Sequence, residues 1–88
     1  MSFKIVIHQK VAKALGDLEK SHQKRFADFI ETLKEFPLPY KRFDIKKIKG
    51  YNHRFRVRLG DFRLIYEIDK EEMLVLILKL ERRKHVYK

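Results

Sequence analysis

Apolar residues recur at every second position over residues 54–68, RFRVRLGDFRLIYEI. This is the period of a strand that has one buried face and one exposed face. The alternation is interrupted only at Gly60-Asp61, and a two-residue connection that begins with glycine is typical of a type I′ or type II′ hairpin turn. The pattern therefore predicts two antiparallel strands joined at Gly60-Asp61, with Leu59 opposite Phe62.

The same register predicts an unusual concentration of positive charge on the exposed face of the hairpin. Arg58 is expected opposite Arg63, and Arg54 opposite Glu67, with Arg56 between them on the same face. Like charges that face each other directly destabilise a strand pair. Because only one acidic residue lies nearby on this face, we expect the arginines to be presented to an anionic partner.

The rest of the chain shows apolar spacing that predicts five further elements. These are a strand over residues 3–8, a helix over 9–18, a helix from a cap at Ser21 to Phe36, a segment at 43–49 for which a short strand and a loop both stay open, and a strand over 73–80. The last strand is almost continuously apolar, which indicates burial on both faces in the interior of a sheet.

The second predicted helix carries its large apolar residues on one stripe: Phe26, Phe29, Ile30, Leu33 and Phe36. We interpret this stripe as the surface that packs on the apolar face of the hairpin. The resulting order, β-α-α-(β)-β-β-β, predicts an α+β fold. It would consist of an N-terminal β-strand, an α-helical hairpin and then a twisted, largely antiparallel β-sheet.

Composition narrows the class of protein. The 88 residues are expected to form one domain, 1–88, without disulfides because the chain has no cysteine. No apolar run is long enough to span a bilayer, and the N-terminus lacks a signal-peptide pattern, so a cytoplasmic location is expected. The net charge of +10 favours a nucleic-acid partner over a membrane, since the cations fall on strands.

Few residues suggest an ordinary active site. The four histidines have no metal-ligand spacing and no glycine-rich phosphate loop is present, so we expect no metal and no cofactor. What remains is a set of cations in the hairpin and the tail, with a histidine and a tyrosine beside them: Arg56, Arg58, Arg63, Arg82, Arg83, Lys84, His85 and Tyr87. Such a set suits metal-free RNA cleavage, because the RNA supplies its own 2′-hydroxyl as nucleophile and guanidinium groups stabilise the charged phosphorane.

The sequence FRVRLGDFRLIYEI, followed by a buried strand and ERRKHVY, resembles the RelE family of the RelE/ParE toxin superfamily, in particular its short archaeal-type members. The likeness extends over essentially the whole chain. It implies a RelE/ParE-like fold and a toxin of a type II toxin–antitoxin system. Such a toxin is a ribosome-dependent endoribonuclease that cleaves mRNA in the A site by metal-independent 2′-hydroxyl attack, and a cognate RelB-like antitoxin holds it inactive.

The resemblance also implies roles for individual residues. Arg56 and Arg58 fall at the family's basic strand pair. Arg63 and Arg83 fall at the arginines that contact the scissile phosphate, and Tyr87 at the tyrosine that stacks on a base. Four neighbouring residues are expected to bind RNA around this centre: Arg54, Arg82, Lys84 and His85.

One departure from the family concerns proton transfer. Some relatives carry lysine at the strand pair, whereas Arg56 and Arg58 cannot readily act as bases. We therefore expect greater reliance on electrostatic stabilisation, or a supplementary role for His85 or His53. Two other functions stay open: a ParE-like gyrase poison, and a non-catalytic RNA- or ribosome-binding module. The presence of Arg63, Arg83 and Tyr87 together favours the RelE-type activity over the gyrase poison.

Overall fold

The structure is a computed structural model that describes residues 2–82. Within this range the elements are β1 (Lys4–Ile7), α1 (Gln9–Gly16), α2 (Lys20–Glu35), β2 (Asp44–Lys47), β3 (Arg54–Leu59), β4 (Phe62–Asp69) and β5 (Leu74–Arg82). The strands form one sheet in the order β1-β5-β4-β3-β2. All neighbours are antiparallel except β1 and β5, which are parallel. The predicted α+β fold is confirmed.

The hairpin has the predicted register, with Leu59 opposite Phe62 and Arg58 opposite Arg63. Its turn is of the type II′ kind, because Gly60 has a φ of +62° whereas Asp61 does not adopt a positive φ. A type I′ turn would need positive φ angles at both positions. Local sequence therefore determines both the strand pairing and the place where the chain reverses.

The two helices cover one face of the sheet and leave the other face, here called the open face, uncovered. Phe26, Phe29 and Leu33 of α2 are buried against the apolar positions of β3, β4 and β5, among them Val57 and Leu64. The open face is formed by the alternate positions of the same strands, which hold most of the charged residues. No helix within residues 2–82 is long and apolar enough to cross a bilayer.

Several predicted boundaries need correction. The cap at Ser21 is wrong, because α2 begins at Lys20 with Glu19 at its N-cap position. Phe36 does not join the buried stripe: α2 ends at Glu35, the chain becomes extended at Phe36 (φ −133°), and its side chain is 65% exposed. α1 ends at Gly16, two residues before the predicted end.

Segment 43–49, which the sequence left open, is a strand over residues 44–47. β2 forms the sheet edge and pairs with β3 so that Asp44 lies opposite Arg58 and Lys46 opposite Arg56. Ile45 is 7% exposed and points into the core. One buried side chain between exposed neighbours is enough to fix this short strand in its register.

β5 is an interior strand, as predicted, since it lies between β1 and β4. The predicted burial on both of its faces is wrong. Val75 and Ile77 are fully buried towards the helices, whereas Leu74 and Leu76 are half-buried on the open face, where no second layer within residues 2–82 covers them. A β-bulge between Ile65 and Tyr66 of the β4–β5 pair shifts the register by one residue of β5.

The bulge determines which residues of β5 reach the open face. Before it, Leu76 is paired with Glu67; after it, Lys79 is paired with Ile65 and Glu81 with Arg63. Without the extra residue the even-numbered positions would have continued on this face. The shift instead brings two charged side chains beside the arginines of the hairpin.

Candidate nucleic-acid interface

Four strands contribute one row of charged residues to the open face, near the tip of the hairpin. The row runs Asp44, Arg58, Arg63, Glu81 across β2, β3, β4 and β5, each residue directly opposite the next. With strands about 4.8 Å apart, its Cα atoms span about 14 Å. Two adjacent guanidinium groups are therefore flanked by a carboxylate on each side.

The side chain of Arg63 is partly exposed and forms an ion pair with Glu81. Its Nε lies 3.7 Å from Glu81 Oε1, and 42% of its side chain remains accessible. The Nε atom itself is buried and has no hydrogen-bond partner among residues 2–82. Because the exposed part of the side chain is then the outer end of the guanidinium group, Arg63 presents donors to the open face.

Three arginines of the open face, Arg56, Arg58 and Arg63, are here called the hairpin cluster. Arg58 is the most exposed of them and forms no salt bridge with any of the described residues. The carboxylate opposite it, Asp44, is engaged elsewhere: its Oδ1 lies 3.7 Å from Arg56 Nη2. The planar set of donors of Arg58 is consequently not engaged by any carboxylate of residues 2–82, and it matches the oxygens of a phosphate.

Arg56 occupies a different environment, since only 12% of its side chain is exposed. Its Nη1 is buried, and the described part of the chain offers it no hydrogen-bond partner. Buried N–H groups are nearly always paired in proteins, so unpaired donors on both Arg56 and Arg63 need an explanation. Because both atoms are buried, an acceptor reaches them only if the guanidinium groups rotate.

Arg54 lies on the same face, but its guanidinium group is bound by side chains of the protein itself. Its Nε and Nη2 donate to Glu67 Oε1 at 3.0 and 2.9 Å, and its guanidinium stacks on the Tyr51 ring at 4.1 Å. Four residues of extended strand separate it from Arg58, which is about 14 Å. The expected RNA contact of Arg54 stays a prediction at the border of the cluster.

Arg82 is not part of the hairpin cluster, contrary to the grouping expected from sequence. It lies opposite Phe62, on the face that carries the helices, and its guanidinium sits 5.3 Å from the centre of the Phe62 ring. Its RNA contact stays a prediction. The other tail residues with predicted roles lie outside the described residues, and their roles also stay predictions: Arg83, Lys84, His85 and Tyr87.

His53 immediately precedes β3, whereas Arg58 lies near the other end of that strand. Five residues of extended chain correspond to about 17 Å. A supplementary role for His53 beside Arg58 and Arg63 therefore conflicts with the geometry. Among residues 2–82, no cluster of three His, Cys, Asp or Glu side chains has the arrangement of a metal site.

Sequence reasoning missed Lys79 and Glu81. Lys79 is exposed on the open face, and its Nζ lies 3.2 Å from Glu81 Oε2. Both residues lie at the end of a strand that is almost continuously apolar. The apolar pattern therefore predicts the strand but does not indicate on which face of the sheet its charged residues lie. No local signal marks the bulge that orients them.

Tyr66 lies beneath the site on the helix side of β4 and is fully buried. Burial, with a smaller contribution from Tyr40, raises the pKa of Tyr66 well above its usual range. Its hydroxyl donates to the Pro37 carbonyl at 3.0 Å. Tyr66 therefore stays protonated and anchors the loop that follows α2 to the sheet.

Comparison with known proteins identifies similar chains. A family model described as the ParE toxin of the type II toxin–antitoxin system parDE matches residues 5–87. The candidate toxin RelE1 of Methanocaldococcus jannaschii is 43% identical over 88 residues, covering 100% of this chain and 98% of that protein. One chain of the archaeal RelE–RelB complex from Pyrococcus horikoshii OT3 superposes with a TM-score of 0.88 at 38% identity, covering 98% of this chain and 100% of that chain.

A more distant match shares the fold alone. One chain of the intact RelBE toxin–antitoxin complex of E. coli superposes with a TM-score of 0.78 at 14% identity. The superposition covers 94% of this chain and 99% of that chain. The overall fold is therefore shared by chains with little sequence identity.

Proposed function

Because the chain belongs to the RelE family of the RelE/ParE toxin superfamily and is thus a toxin of the type II toxin–antitoxin class, we propose that it is a ribosome-dependent endoribonuclease. It cleaves mRNA in the A site and so stops translation. Its substrates and partners in this reaction are the ribosome and mRNA, and it works in the cytoplasm.

The observation that carries this proposal is the pair of opposed arginines on the open face. Arg58 has no salt bridge among the described residues, and Arg63 exposes the outer end of its guanidinium group. Placing two cations directly opposite each other costs stability in the free protein. A phosphate between them offsets that cost, because each guanidinium can bind two phosphate oxygens in parallel.

In the proposed reaction, the ribose 2′-oxygen forms a bond to the adjacent phosphorus while the bond from phosphorus to the 5′-oxygen breaks. One proton leaves the 2′-hydroxyl and one is delivered to the 5′-oxygen. Arg58 and Arg63 stabilise the additional negative charge on the non-bridging oxygens. Since arginine stays protonated in proteins, these residues act as cations and donors, and His85 is the remaining histidine candidate for proton transfer.

A RelB-like antitoxin is the expected regulatory partner. The similar structure from Pyrococcus horikoshii is a complex of RelE with RelB, and its RelE-like chain matches this chain over nearly its whole length. We propose that the antitoxin of this protein is acidic or amphipathic, because it must neutralise a chain of net charge +10. Binding of such a partner over the open face would block access of mRNA to Arg58 and Arg63.

Primer extension on mRNA in programmed ribosomes tests the proposed activity. The wild-type protein is expected to cut within the A-site codon. Arg63→Ala is expected to lower the cleavage rate about 10²- to 10³-fold, the usual cost of removing one donor to a transition-state oxyanion. Arg83→Ala tests the tail arginine in the same assay. Lys24→Ala, which removes an exposed cation from α2, is the matched control and should cut at the wild-type rate.

Absence of cuts with the wild-type protein would refute the proposal. The match to a ParE family model then favours the second candidate, a gyrase poison, which inhibition of DNA supercoiling by purified gyrase would reveal. A protein that neither cuts mRNA nor inhibits gyrase, yet binds ribosomes, would be a non-catalytic binding module. In that case each arginine substitution should weaken binding in proportion to the charge removed.

A further inference from the structure

Three charged side chains on the open face form a connected group where β5 runs beside β4. Glu81 Oε1 lies 3.7 Å from Arg63 Nε, and Glu81 Oε2 lies 3.2 Å from Lys79 Nζ. Lys79 and Glu81 are two residues apart on one strand and therefore point to the same side. Glu81 is directly opposite Arg63 in the sheet, so the carboxylate is fixed from both strands.

The contact between Glu81 and Arg63 is an ion pair that falls short of a hydrogen bond. An N–H···O hydrogen bond to a carboxylate normally measures about 2.8 Å, almost 1 Å less than the distance here. The Arg63 Nε is at the same time buried and finds no acceptor in the part of the chain that the structure describes. A small rotation of the guanidinium would bring its Nε–H onto Glu81 and leave both Nη groups facing the open side.

A carboxylate beside a phosphate-binding arginine is otherwise unfavourable. Glu81 repels an approaching phosphate, and a partly exposed ion pair contributes little to folding stability. The presence of Glu81 beside Arg63 is explained if correct orientation of the guanidinium contributes more to the reaction than the reduced affinity for phosphate costs. Lys79 offsets part of the negative charge and holds the carboxylate oxygen that does not face Arg63.

We propose that Glu81 is a positioning residue for Arg63. When a phosphate of the mRNA binds, Glu81 accepts the Nε–H of Arg63 and fixes the plane of the guanidinium, so that its two Nη groups meet the phosphate oxygens. Lys79 keeps the carboxylate in place. The inference rests on the proposed function for the identity of the phosphate, but the orientation of Arg63 by Glu81 is a property of the protein alone.

Steady-state cleavage of mRNA on ribosomes tests the inference by separating kcat from KM. Glu81→Ala is expected to lower kcat at least tenfold, because a misplacement of about 1 Å in a reacting group is costly. Its KM is expected to stay the same or to fall, since the substitution removes a negative charge from a phosphate-binding face. Glu81→Gln keeps an acceptor oxygen for the Nε–H and should restore most of kcat.

The matched control is Glu31→Ala, which removes the same charge and also breaks an ion pair, that with Lys34 on α2. It should leave kcat and KM unchanged. If Glu81→Ala has the same kinetics as Glu31→Ala, or if only its KM changes, the inference is wrong. A loss of kcat that is matched by an equal loss of correctly folded protein, measured by thermal unfolding, would likewise overturn it.

The Nε–H resonance of Arg63 in NMR spectra gives a test that does not need catalytic activity. Titration with a phosphodiester dinucleotide should shift this resonance in the wild-type protein by forming the hydrogen bond to Glu81. The shift should be absent in Glu81→Ala, and Arg63→Lys identifies the resonance. Equal shifts in the wild-type protein and in Glu81→Ala would refute the positioning role. This result holds whether or not the protein cleaves mRNA on ribosomes, so the inference and the proposed function can fail separately.

Discussion

Replacing Arg58 by glutamine should make the protein more stable while it weakens the action on RNA. In the free protein Arg58 faces Arg63 directly across two antiparallel strands, where Cα atoms are about 4.5–5.5 Å apart. The nearest carboxylate in the register, Asp44, forms its salt bridge with Arg56 instead. Glutamine removes the repulsion but keeps most of the apolar stem of the side chain.

The size of the effect follows from Coulomb's law. We take the two guanidinium groups to be about 7 Å apart, at which distance their repulsion is about 0.6 kcal/mol in water and larger near the protein surface. Physiological salt, with a Debye length of about 8 Å, reduces it by roughly half. At the value for water the net gain is therefore about 0.3 kcal/mol, which corresponds to a rise in Tm of about 1–2 °C for a domain of this size.

Urea and thermal unfolding of Arg58→Gln at low salt and at 1 M NaCl measure this gain. The increase in stability should be present at low salt and nearly vanish at 1 M, where the Debye length is about 3 Å. Lys24→Gln, an exposed cation on α2, should show a smaller change. The cleavage rate of Arg58→Gln on ribosomes should fall about a hundredfold. Lower stability of this variant, or a gain that is independent of salt, would refute the reasoning.

Three further substitutions test the scaffold by urea unfolding. Tyr66→Phe should cost about 1 kcal/mol because the Pro37 carbonyl loses its donor. Burial raises the pKa of Tyr66 above its value in the unfolded chain. The contribution of Tyr66 to the free energy of unfolding is therefore complete below about pH 10 and declines above it by about 1.4 kcal/mol per pH unit. Parallel curves of stability against pH for wild type and Tyr66→Phe would contradict this. Gly60→Ala should cost about 1–2 kcal/mol of stability, because alanine is strained at φ +62°. The Arg25 side chain that the new methyl group would meet can move aside. An unchanged stability would show that the turn rearranges. Leu33→Ala, which empties a fully buried position, should cost about 2–5 kcal/mol, and a cost below 1 kcal/mol would mean that the core closes over the cavity.

Local patterns predicted those parts of the site that lie within one hairpin. Alternating residues and a glycine turn fix which side chains of β3 and β4 share a face, because the period of a strand is independent of the rest of the fold. The opposition of Arg58 and Arg63 followed directly and is present in the structure. The family resemblance likewise agreed with the comparisons over nearly the whole chain.

Features that depend on several elements were not predicted. Arg82 shares neither face nor neighbours with the hairpin arginines, and Glu81 lies beside Arg63, because of one extra residue at the β4–β5 bulge. Such features arise from the packing of non-adjacent segments, for which a single stretch of sequence carries no periodic signal.

The sequence by itself thus determined the class of fold, the hairpin with its register, the basic character of one face and the family. Only the tertiary structure decided that Asp44 pairs with Arg56, that Arg58 is left without a salt bridge among the described residues, and that a carboxylate from β5 flanks Arg63. The physical reason is that alternation orients residues within a strand, whereas the pairing of distant strands and the bulge in β5 depend on segments that are far apart in the chain.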